Sequence, residues 1–305
     1  VIFQTPFFQG FRMYTNTLTN LNRVAIIGCG NVGSTSAYSL LMNGAAEEII
    51  LIDKDGDKLL GETMDLQHAV PLNRPVKIWA GDFSDTKDAD IAVIAAGAGT
   101  IPGETRLNLL ERNVEVVRKI VSDLIKNGFS GIILMTTNPV DVLAQITHEE
   151  SGLPTEKVIG AGTVLDTARL QVMFGAEISI EARSIHAYIV GEHGESEIAT
   201  WHAARVGGSP ITNFCDPNSS IYDEILNDVR YAAPNIVRHK GYTSFAIASC
   251  VTRICQAILR NEQTILPVSV MTNGQYGISD TNISFPSVVG SDGVDRIIES
   301  PLDEE

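Results

Sequence analysis

The sequence has few cysteines, few basic residues and no long apolar run. Its four cysteines form no pair of CxxC motifs, which excludes the common zinc-ribbon type of site. So few cysteines in 305 residues indicate a reduced, intracellular protein, and we predict a cytoplasmic location. No apolar run reaches the ~18–20 residues that span a bilayer, so we expect no membrane partner.

Acidic residues outnumber basic residues by 37 to 22, which gives a formal net charge of −15. This balance argues against nucleic acid or an anionic membrane as the main partner. Charged residues make up only 19% of the chain and hydrophobic residues 44%, so a disordered chain is also excluded. The length suits one large or two medium domains.

Apolar segments alternate with amphipathic helical segments from Arg23 to about Gly162. This pattern predicts an α/β fold, in which residues 23–161 form a Rossmann-type doubly wound parallel sheet. Helical runs, one of which Pro234 bends or ends, and antiparallel strands, one of them over 274–279, then predict a second, α+β catalytic domain over 162–305. Residues 1–22 are an N-terminal extension of unknown role. The five strands expected in the parallel sheet are 23–28, 47–53, 89–97, 128–139 and 156–162.

A glycine-rich motif, GCGNVG, follows the first predicted strand and opens a helix. Glycines at these spacings allow a tight turn, close approach of a pyrophosphate and packing of the helix on the strand. Asp53 ends the second strand, where a carboxylate hydrogen-bonds ribose hydroxyls and repels a 2′-phosphate, so NAD is the predicted cofactor. The alternative is a structural turn, with Asp53 capping the next helix. The predicted cofactor contacts here are Gly28, Gly30, Asn31, Val32, Gly33 and Asp53.

His193 is the strongest candidate among six histidines for a proton-transfer residue. It lies between Glu192 and Gly194, at the end of an apolar strand, whereas His186 on that strand is better interpreted as a packed core histidine. Asp166 and Arg169 are three residues apart on a predicted helix, and so share one face. An acid could orient the histidine and a guanidinium could bind a substrate carboxylate, although an ordinary salt bridge explains this pair equally well.

A glycine-rich segment, GAGTIPGET, follows the third predicted strand and leads to Arg106. Such a segment resembles a lid that closes over a ligand. The alternative is a flexible surface loop with a solvated arginine.

Seven segments in order resemble the L-lactate/malate dehydrogenase family, and its lactate branch most of all: IIGCGNVG, LIDKD, PGETRLNLLERN, TTNPVDV, GTVLDTARLQ, GEHGES and KGYTSFAIA. The resemblance covers more than nine-tenths of the chain. It implies reduction of a 2-oxo acid with NADH, no metal and a homotetramer. His193 would be the general acid/base, Asp166 its orienting partner and Arg106 the group that polarises the reacting carbonyl. The resemblance also implies substrate contacts from Arg169, Asn138, Thr243, Thr100 and Ala233, and cofactor contacts from Gly97, Asn138 and Ile247.

Thr100 stands where the resemblance places the residue that selects the substrate. Malate enzymes have an arginine there, and typical lactate enzymes a glutamine. Thr100 leaves the second carboxylate of oxaloacetate unpaired, so pyruvate is the expected substrate, with a malate or broader-specificity 2-hydroxy acid dehydrogenase as the alternative. Gln171 replaces an arginine of the enzymes activated by fructose 1,6-bisphosphate, so we expect no such activation. The family usually continues beyond ESPLDEE into a helix, so we expect a C-terminal truncation.

Two hypotheses that assign the protein to a different functional class have weaker support. A non-catalytic NAD-binding protein has no need for the complete set of predicted site residues. A metal enzyme built on His186, His193 and nearby glutamates matches no common ligand spacing.

Overall fold

The computed structural model describes residues 22–99 and 105–299, so the predictions for residues 1–21, the lid segment 100–104 and the C-terminal residues 300–305 lie outside it. A parallel sheet of six strands organises the first half of the chain. The strands lie in the order β3-β2-β1-β4-β5-β6, and the order reverses direction between β1 and β4. These strands are β1 (Arg23–Ile27), β2 (Glu48–Ile52), β3 (Lys77–Ala80), β4 (Ile91–Ile94), β5 (Ile132–Met135) and β6 (Val158–Gly160).

Helices cover both faces of this sheet, which is why β4 and β5 are apolar at every position and β1 and β2 are apolar after their first residue. Two separate clusters of buried side chains result. One contains Ile26 and Leu40, and the other contains Leu124 and Ile133. The predicted doubly wound α/β fold is confirmed. The helices of this half are α1 (Asn31–Asn43), α2 (Gly56–Ala69), α3 (Arg106–Lys126) and α4 (Val140–Ser151).

The second half of the chain extends the same sheet. Three antiparallel strands extend it beyond β6: the first pairs with β6, the second with the first, and the third with the second. The described residues therefore form one sheet of nine strands. The three added strands are β12 (Thr264–Asn273), β13 (Ser279–Gly290) and β14 (Gly293–Ile297). The helices of this half are α5 (Val164–Ile178), α6 (Ile221–Lys240) and α7 (Phe245–Leu259).

Five short strands, in two small sheets, complete the second half. An aromatic group of Phe174, Trp201 and Tyr222 packs within its own buried cluster, with ring centroids 5.1–6.2 Å apart. The division into domains at residue 161 stays a prediction. The short strands are β7 (Ile185–His186), β8 (Ile189–Val190), β9 (Ile198–Ala199), β10 (Arg205–Val206) and β11 (Ser209–Pro210).

Three details differ from the sequence-based expectations. The edge strand β3 was not predicted, because only Ile78 of its four residues is buried. Residues 274–279 were expected to form a strand, but Gln275–Gly277 form a 3₁₀ turn between β12 and β13. Of the two outcomes expected at Pro234, a bend or an end, the end is wrong, because helix α6 continues to Lys240. Among the described helices, none combines the length and apolarity needed to cross a bilayer.

Candidate active site

The glycine motif lies at the carboxyl ends of β1 and β4, where the strand order reverses. Gly28 has a φ of +97°, and a Cβ added there would lie 2.5 Å from the main-chain nitrogen of Ala96. A Cβ on Gly33 would lie 1.8 Å from the carbonyl oxygen of Gly28. A Cβ on Gly30 would meet no atom within 4 Å, so this glycine faces open space. Such a crevice at a switch point is the usual dinucleotide site of open α/β sheets.

The groups around this crevice fit a dinucleotide. Helix α1 begins without a side-chain cap, so the amides of its first turn remain for an anion. Asp53 accepts hydrogen bonds from the main-chain N–H of Cys29 at 2.6 Å and of Asp55 at 3.0 Å, which fixes its carboxylate beside the glycine turn. A carboxylate retains acceptor capacity for ribose hydroxyls after two such bonds. The alternative in which Asp53 caps α2 is wrong, because the cap is Asp55, which accepts from the N–H of Lys58.

Asn113 of α3 ties together the loops that follow β4 and β5. Its Oδ1 accepts from the N–H of Ala98 at 2.7 Å, and its Nδ2 donates to the carbonyl of Asn138 at 3.0 Å. Gly97 lies within this arrangement, where a Cβ would come 2.9 Å from a methyl group of Thr137. Sequence reasoning missed Asn113, although it ends the matched segment PGETRLNLLERN.

His193 lies against Asp166 as predicted. Asp166 projects from the first turn of α5, and its Oδ2 is 2.5 Å from Nδ1 of the imidazole. The other carboxylate oxygen, Oδ1, accepts from Nη1 of Arg169 at 2.8 Å. The salt bridge considered as the alternative therefore forms. It uses one of the five N–H donors of the guanidinium and so does not exclude a substrate contact.

The loop that carries His193 is fixed from two further sides. The main-chain N–H of His193 donates to Oδ2 of Asp141 in α4 at 2.8 Å. Gly191, with a φ of +95°, pairs with Ser284 of β13 through main-chain hydrogen bonds of 2.9 and 3.0 Å. Asp141 is buried and was not recognised from the sequence. These contacts place the imidazole where β8, α4 and α5 converge.

Three carboxylates set the charge of His193. Burial alone would lower the pKa of the imidazole, but the hydrogen bond and charge of Asp166, followed by the charges of Asp141 and Glu197, raise the pKa above its usual value. Glu197 is itself 1% exposed, and burial together with the charge of Asp166 raises the pKa of its carboxyl to about 7. Sequence reasoning did not single out Glu197.

The remaining predicted residues have defined places in the chain. Arg106 is the first residue of α3, whose N-cap is Thr105, and Thr100 lies outside the described residues. Asn138 follows β5 and is exposed; Ile247, in the first turn of α7, packs against the core cluster of α1. Thr243 and Ala233 are partly buried, before α7 and within α6. The roles assigned to these residues stay predictions.

His186 is not the packed core histidine that the sequence suggested. It is the second residue of the short strand β7 and is exposed, while its neighbour Ile185 is buried. The alternation of a two-residue strand turns its side chain towards solvent.

Comparison with known proteins agrees with this geometry. Residues 22–160 match the NAD-binding domain of lactate/malate dehydrogenase, and residues 163–305 match its α/β C-terminal domain. An L-lactate dehydrogenase of Priestia megaterium is 45% identical over 95% of this chain and 92% of its own length.

Two solved structures are also similar. The minor L-lactate dehydrogenase from Enterococcus mundtii, in its ligand-bound form, superposes with a TM-score of 0.91 and 38% identity, covering 93% of this chain and 92% of its own. A lactate dehydrogenase from a Medee basin deep-sea metagenome library has a TM-score of 0.90 and 42% identity, covering 93% of both chains. The chain is therefore an NAD-dependent oxidoreductase that belongs to the lactate/malate dehydrogenase family.

Proposed function

We propose that the protein is an L-lactate dehydrogenase, which interconverts pyruvate and (S)-lactate with NADH and NAD. The observation that carries this proposal is the pair formed by His193 and Asp166. The carboxylate of Asp166 lies 2.5 Å from Nδ1 of the imidazole, and the His193 side chain remains 23% exposed. Its second ring nitrogen, Nε2, is thus available to a substrate oxygen.

This pair performs the proton transfer. In pyruvate reduction, His193 begins as the imidazolium and donates the proton on Nε2 to the C2 oxygen as that carbon is reduced. Asp166 fixes the tautomer and stabilises the charged imidazole. In lactate oxidation the neutral imidazole takes the hydroxyl proton back. General acid–base catalysis of this kind contributes roughly 10²–10⁴-fold to the rate.

Arginine and asparagine side chains position the substrate in this scheme. Arg169 binds the carboxylate of pyruvate with the donors that Asp166 does not use, since a guanidinium can form two parallel bonds with a carboxylate. Arg106 polarises the C2 carbonyl, and Asn138 hydrogen-bonds the same oxygen. Thr243 and Ala233 line the pocket.

The crevice at the ends of β1 and β4 holds NAD. When bound, this cofactor supplies or accepts the hydride of the reaction. Gly30 would leave room for the pyrophosphate, since a Cβ there meets no atom within 4 Å, and the uncapped amides at the start of α1, including those of Asn31 and Val32, would bind it. Asp53 binds the adenosine ribose, while Gly97 and Ile247 line the nicotinamide side.

The same proposal includes a cytoplasmic homotetramer. All four cysteines are unpaired, which supports a reducing compartment. Exposed apolar side chains on α1 and α2, among them Tyr38, Met42 and Leu60, support contacts between subunits. The resemblance to the family provides the expected number of four.

A substrate panel tests the proposed activity. NADH oxidation would be measured with pyruvate, oxaloacetate, 2-oxobutyrate and phenylpyruvate, and we expect the highest kcat/KM with pyruvate. A folded, NADH-binding protein that oxidises NADH with none of these acids would contradict the proposal. A preference for oxaloacetate would instead support the malate enzyme.

Thr100→Arg is the matched variant for that panel. An arginine supplies a cation for the second carboxylate of oxaloacetate, so we expect the ratio of kcat/KM for oxaloacetate to that for pyruvate to rise at least about tenfold. An unchanged ratio would show that residue 100 does not select the substrate.

A further inference from the structure

Glu197 is a buried acid at the far end of the turn that carries His193. This turn joins β8 to β9, and Glu197 immediately precedes β9. One of its carboxyl oxygens, Oε1, is buried without a hydrogen-bond partner in the described part of the chain. One atom each of Glu197, Asp166 and His193 lie within 4.8 Å of one another. A buried, incompletely bonded carboxyl is costly, and its position beside a proton-transfer residue points to a role there.

The contacts of Glu197 do not account for its carboxyl. Arg230 of α6 donates from Nη2 to the main-chain carbonyl of Glu197 at 2.6 Å, so the main chain receives this bond. No ion pair within 4.0 Å connects the Glu197 carboxyl to a described residue. The charged groups that act on it are Asp166 and Arg169 from α5, His193 from its own turn and Arg230 from α6.

We propose that Glu197 is a positioning residue, a second ionisable carboxyl partner that keeps His193 protonated to higher pH. The proposal rests on the function proposed for His193. It deepens that function, because it states what sets the pH range over which each direction of the reaction proceeds.

The physical argument follows from charge coupling over a short distance. Burial and Asp166 raise the pKa of Glu197 to about 7, so this carboxyl changes charge near neutral pH. Its ionised form favours the imidazolium, and the imidazolium in turn favours the ionised carboxyl. Asp141 faces His193 from α4 and adds to the same effect. Once Glu197 has lost its proton, its charge opposes the deprotonation of His193.

Glu197→Gln tests the proposal, because an amide resembles the protonated acid and cannot become charged. The pH dependence of kcat/KM reports ionisations of the free enzyme. For pyruvate reduction we expect the variant to match the wild type at low pH and its high-pH limb to move down by about one pH unit. Above that limb, kcat/KM should be about tenfold lower. For lactate oxidation, the low-pH limb should move in the same direction.

Glu195→Gln is the matched control. It makes the same chemical change in the same turn at an exposed side chain, where solvent screens the charge. We expect both limbs of this variant to lie at their wild-type positions.

A second measurement does not depend on turnover. Diethyl pyrocarbonate modifies neutral imidazole, so its rate of reaction with His193 in cofactor-free protein, followed by peptide mass spectrometry, reports the protonation of that residue. The midpoint of this rate against pH should move down by about one unit in Glu197→Gln. Because this readout needs no substrate, a wild-type protein without activity would overturn the proposed function and leave the test of Glu197 intact.

Two results would overturn the inference. Coincident pH profiles for wild type and Glu197→Gln would show no coupling, and an equal loss of activity at every pH would show a purely structural role. If the amide variant does not fold, Glu197→Asp provides the test. The shorter side chain withdraws the charge from His193, so the limb should move down by a smaller amount, and an unmoved limb would again overturn the inference.

Discussion

His193 is held among acidic groups that belong to three different segments of the chain. Asp166 contacts the ring, Asp141 contacts the main chain, and Glu197 lies close by. Because these carboxylates outweigh burial, the imidazolium persists above the usual histidine pKa of about 6.5. Pyruvate reduction needs the protonated form, so it declines only as pH rises through the raised pKa. Lactate oxidation needs the neutral form and declines as pH falls through the same value.

His193→Ala tests this assignment at the scale of one residue. Removing the imidazole should lower kcat for pyruvate by about 10²–10⁴-fold, since the proton donor is lost. NADH binding, measured by fluorescence titration, should change little, because the cofactor crevice lies at β1 and β4. Turnover equal to that of the wild type would remove His193 from the mechanism, and His202→Ala controls for loss of a histidine elsewhere.

The sequence predicted the pairing of His193 with Asp166 but not its other contacts. The family-like segments GEHGES and GTVLDTARLQ mark these two residues. Asp141 and Asn113 lie in the matched segments TTNPVDV and PGETRLNLLERN, but nothing in those segments marks them for this contact, because the topology brings Asp141 to His193 across 52 positions of the sequence. A buried acid without a sequence pattern, such as Glu197, becomes recognisable only when its neighbours in space are known.

The first strand, turn and helix form a unit whose glycines have distinct tasks. Gly28 and Gly33 permit close packing within the protein. Gly28 packs against Ala96, and Gly33 packs against the carbonyl of Gly28. A Cβ added at Gly30 would meet no atom of the protein within 4 Å. Its lack of a Cβ therefore has value only towards a ligand, which separates a binding role from a structural one.

Gly30→Ala and Gly33→Ala test this separation as a pair. Gly30→Ala should fold with a nearly unchanged Tm but raise the Kd for NADH at least about tenfold, because its methyl group occupies the path of the pyrophosphate. Gly33→Ala should lower the Tm, because its Cβ would overlap the carbonyl of Gly28. Thermal melting and NADH titration distinguish the two outcomes. Unaltered NADH affinity in Gly30→Ala would contradict the position given to the cofactor.

Elements were predictable where burial left a clear pattern. Strands β4 and β5 are apolar along their length, and β1 and β2 are apolar after their first residue, because helices cover both faces. The edge strand β3 is exposed at Lys77 and Ala80, so only a short apolar run of three residues marks it. The turn at Gln275–Gly277 was mistaken for a strand because glycine spacing alone does not distinguish a 3₁₀ turn from a hairpin end.

At the scale of the whole molecule, the two halves of the chain share one sheet and one buried layer. β12 pairs with β6, and α7 packs against α1, where Thr252 donates to Ser39 at 2.7 Å. Ile254 and Val251 of α7 belong to the same cluster as Ile26 of β1. Sequence patterns gave no sign of this continuity, because pairing between distant strands depends on the chain's overall path. The cofactor crevice and the His193 turn are thus built on one continuous sheet and its packed helices.

The charge of the molecule bears on its regulation by anions. Because the protein has a net charge of −15, it needs a local cluster of cations to bind a bisphosphate. Gln171 provides no cation, because its side-chain amide is neutral, and its Nε2 donates to the carbonyl of Ile185 at 3.1 Å. We therefore expect fructose 1,6-bisphosphate to change the KM for pyruvate by far less than the roughly 5–150-fold typical of allosteric coupling. Steady-state kinetics at neutral pH, with and without the bisphosphate, measure this effect.

Gln171→Arg is the companion variant for that experiment. Its guanidinium can bind a phosphate in a two-pronged manner, so some dependence of KM on the bisphosphate should appear if charge alone is missing. Sedimentation velocity with and without the bisphosphate would show whether the assembly changes, against an expected wild-type mass of four 32.9 kDa chains under both conditions. Strong activation of the wild type would mean that cations elsewhere in the assembly replace the absent arginine, and would contradict the expectation drawn from Gln171.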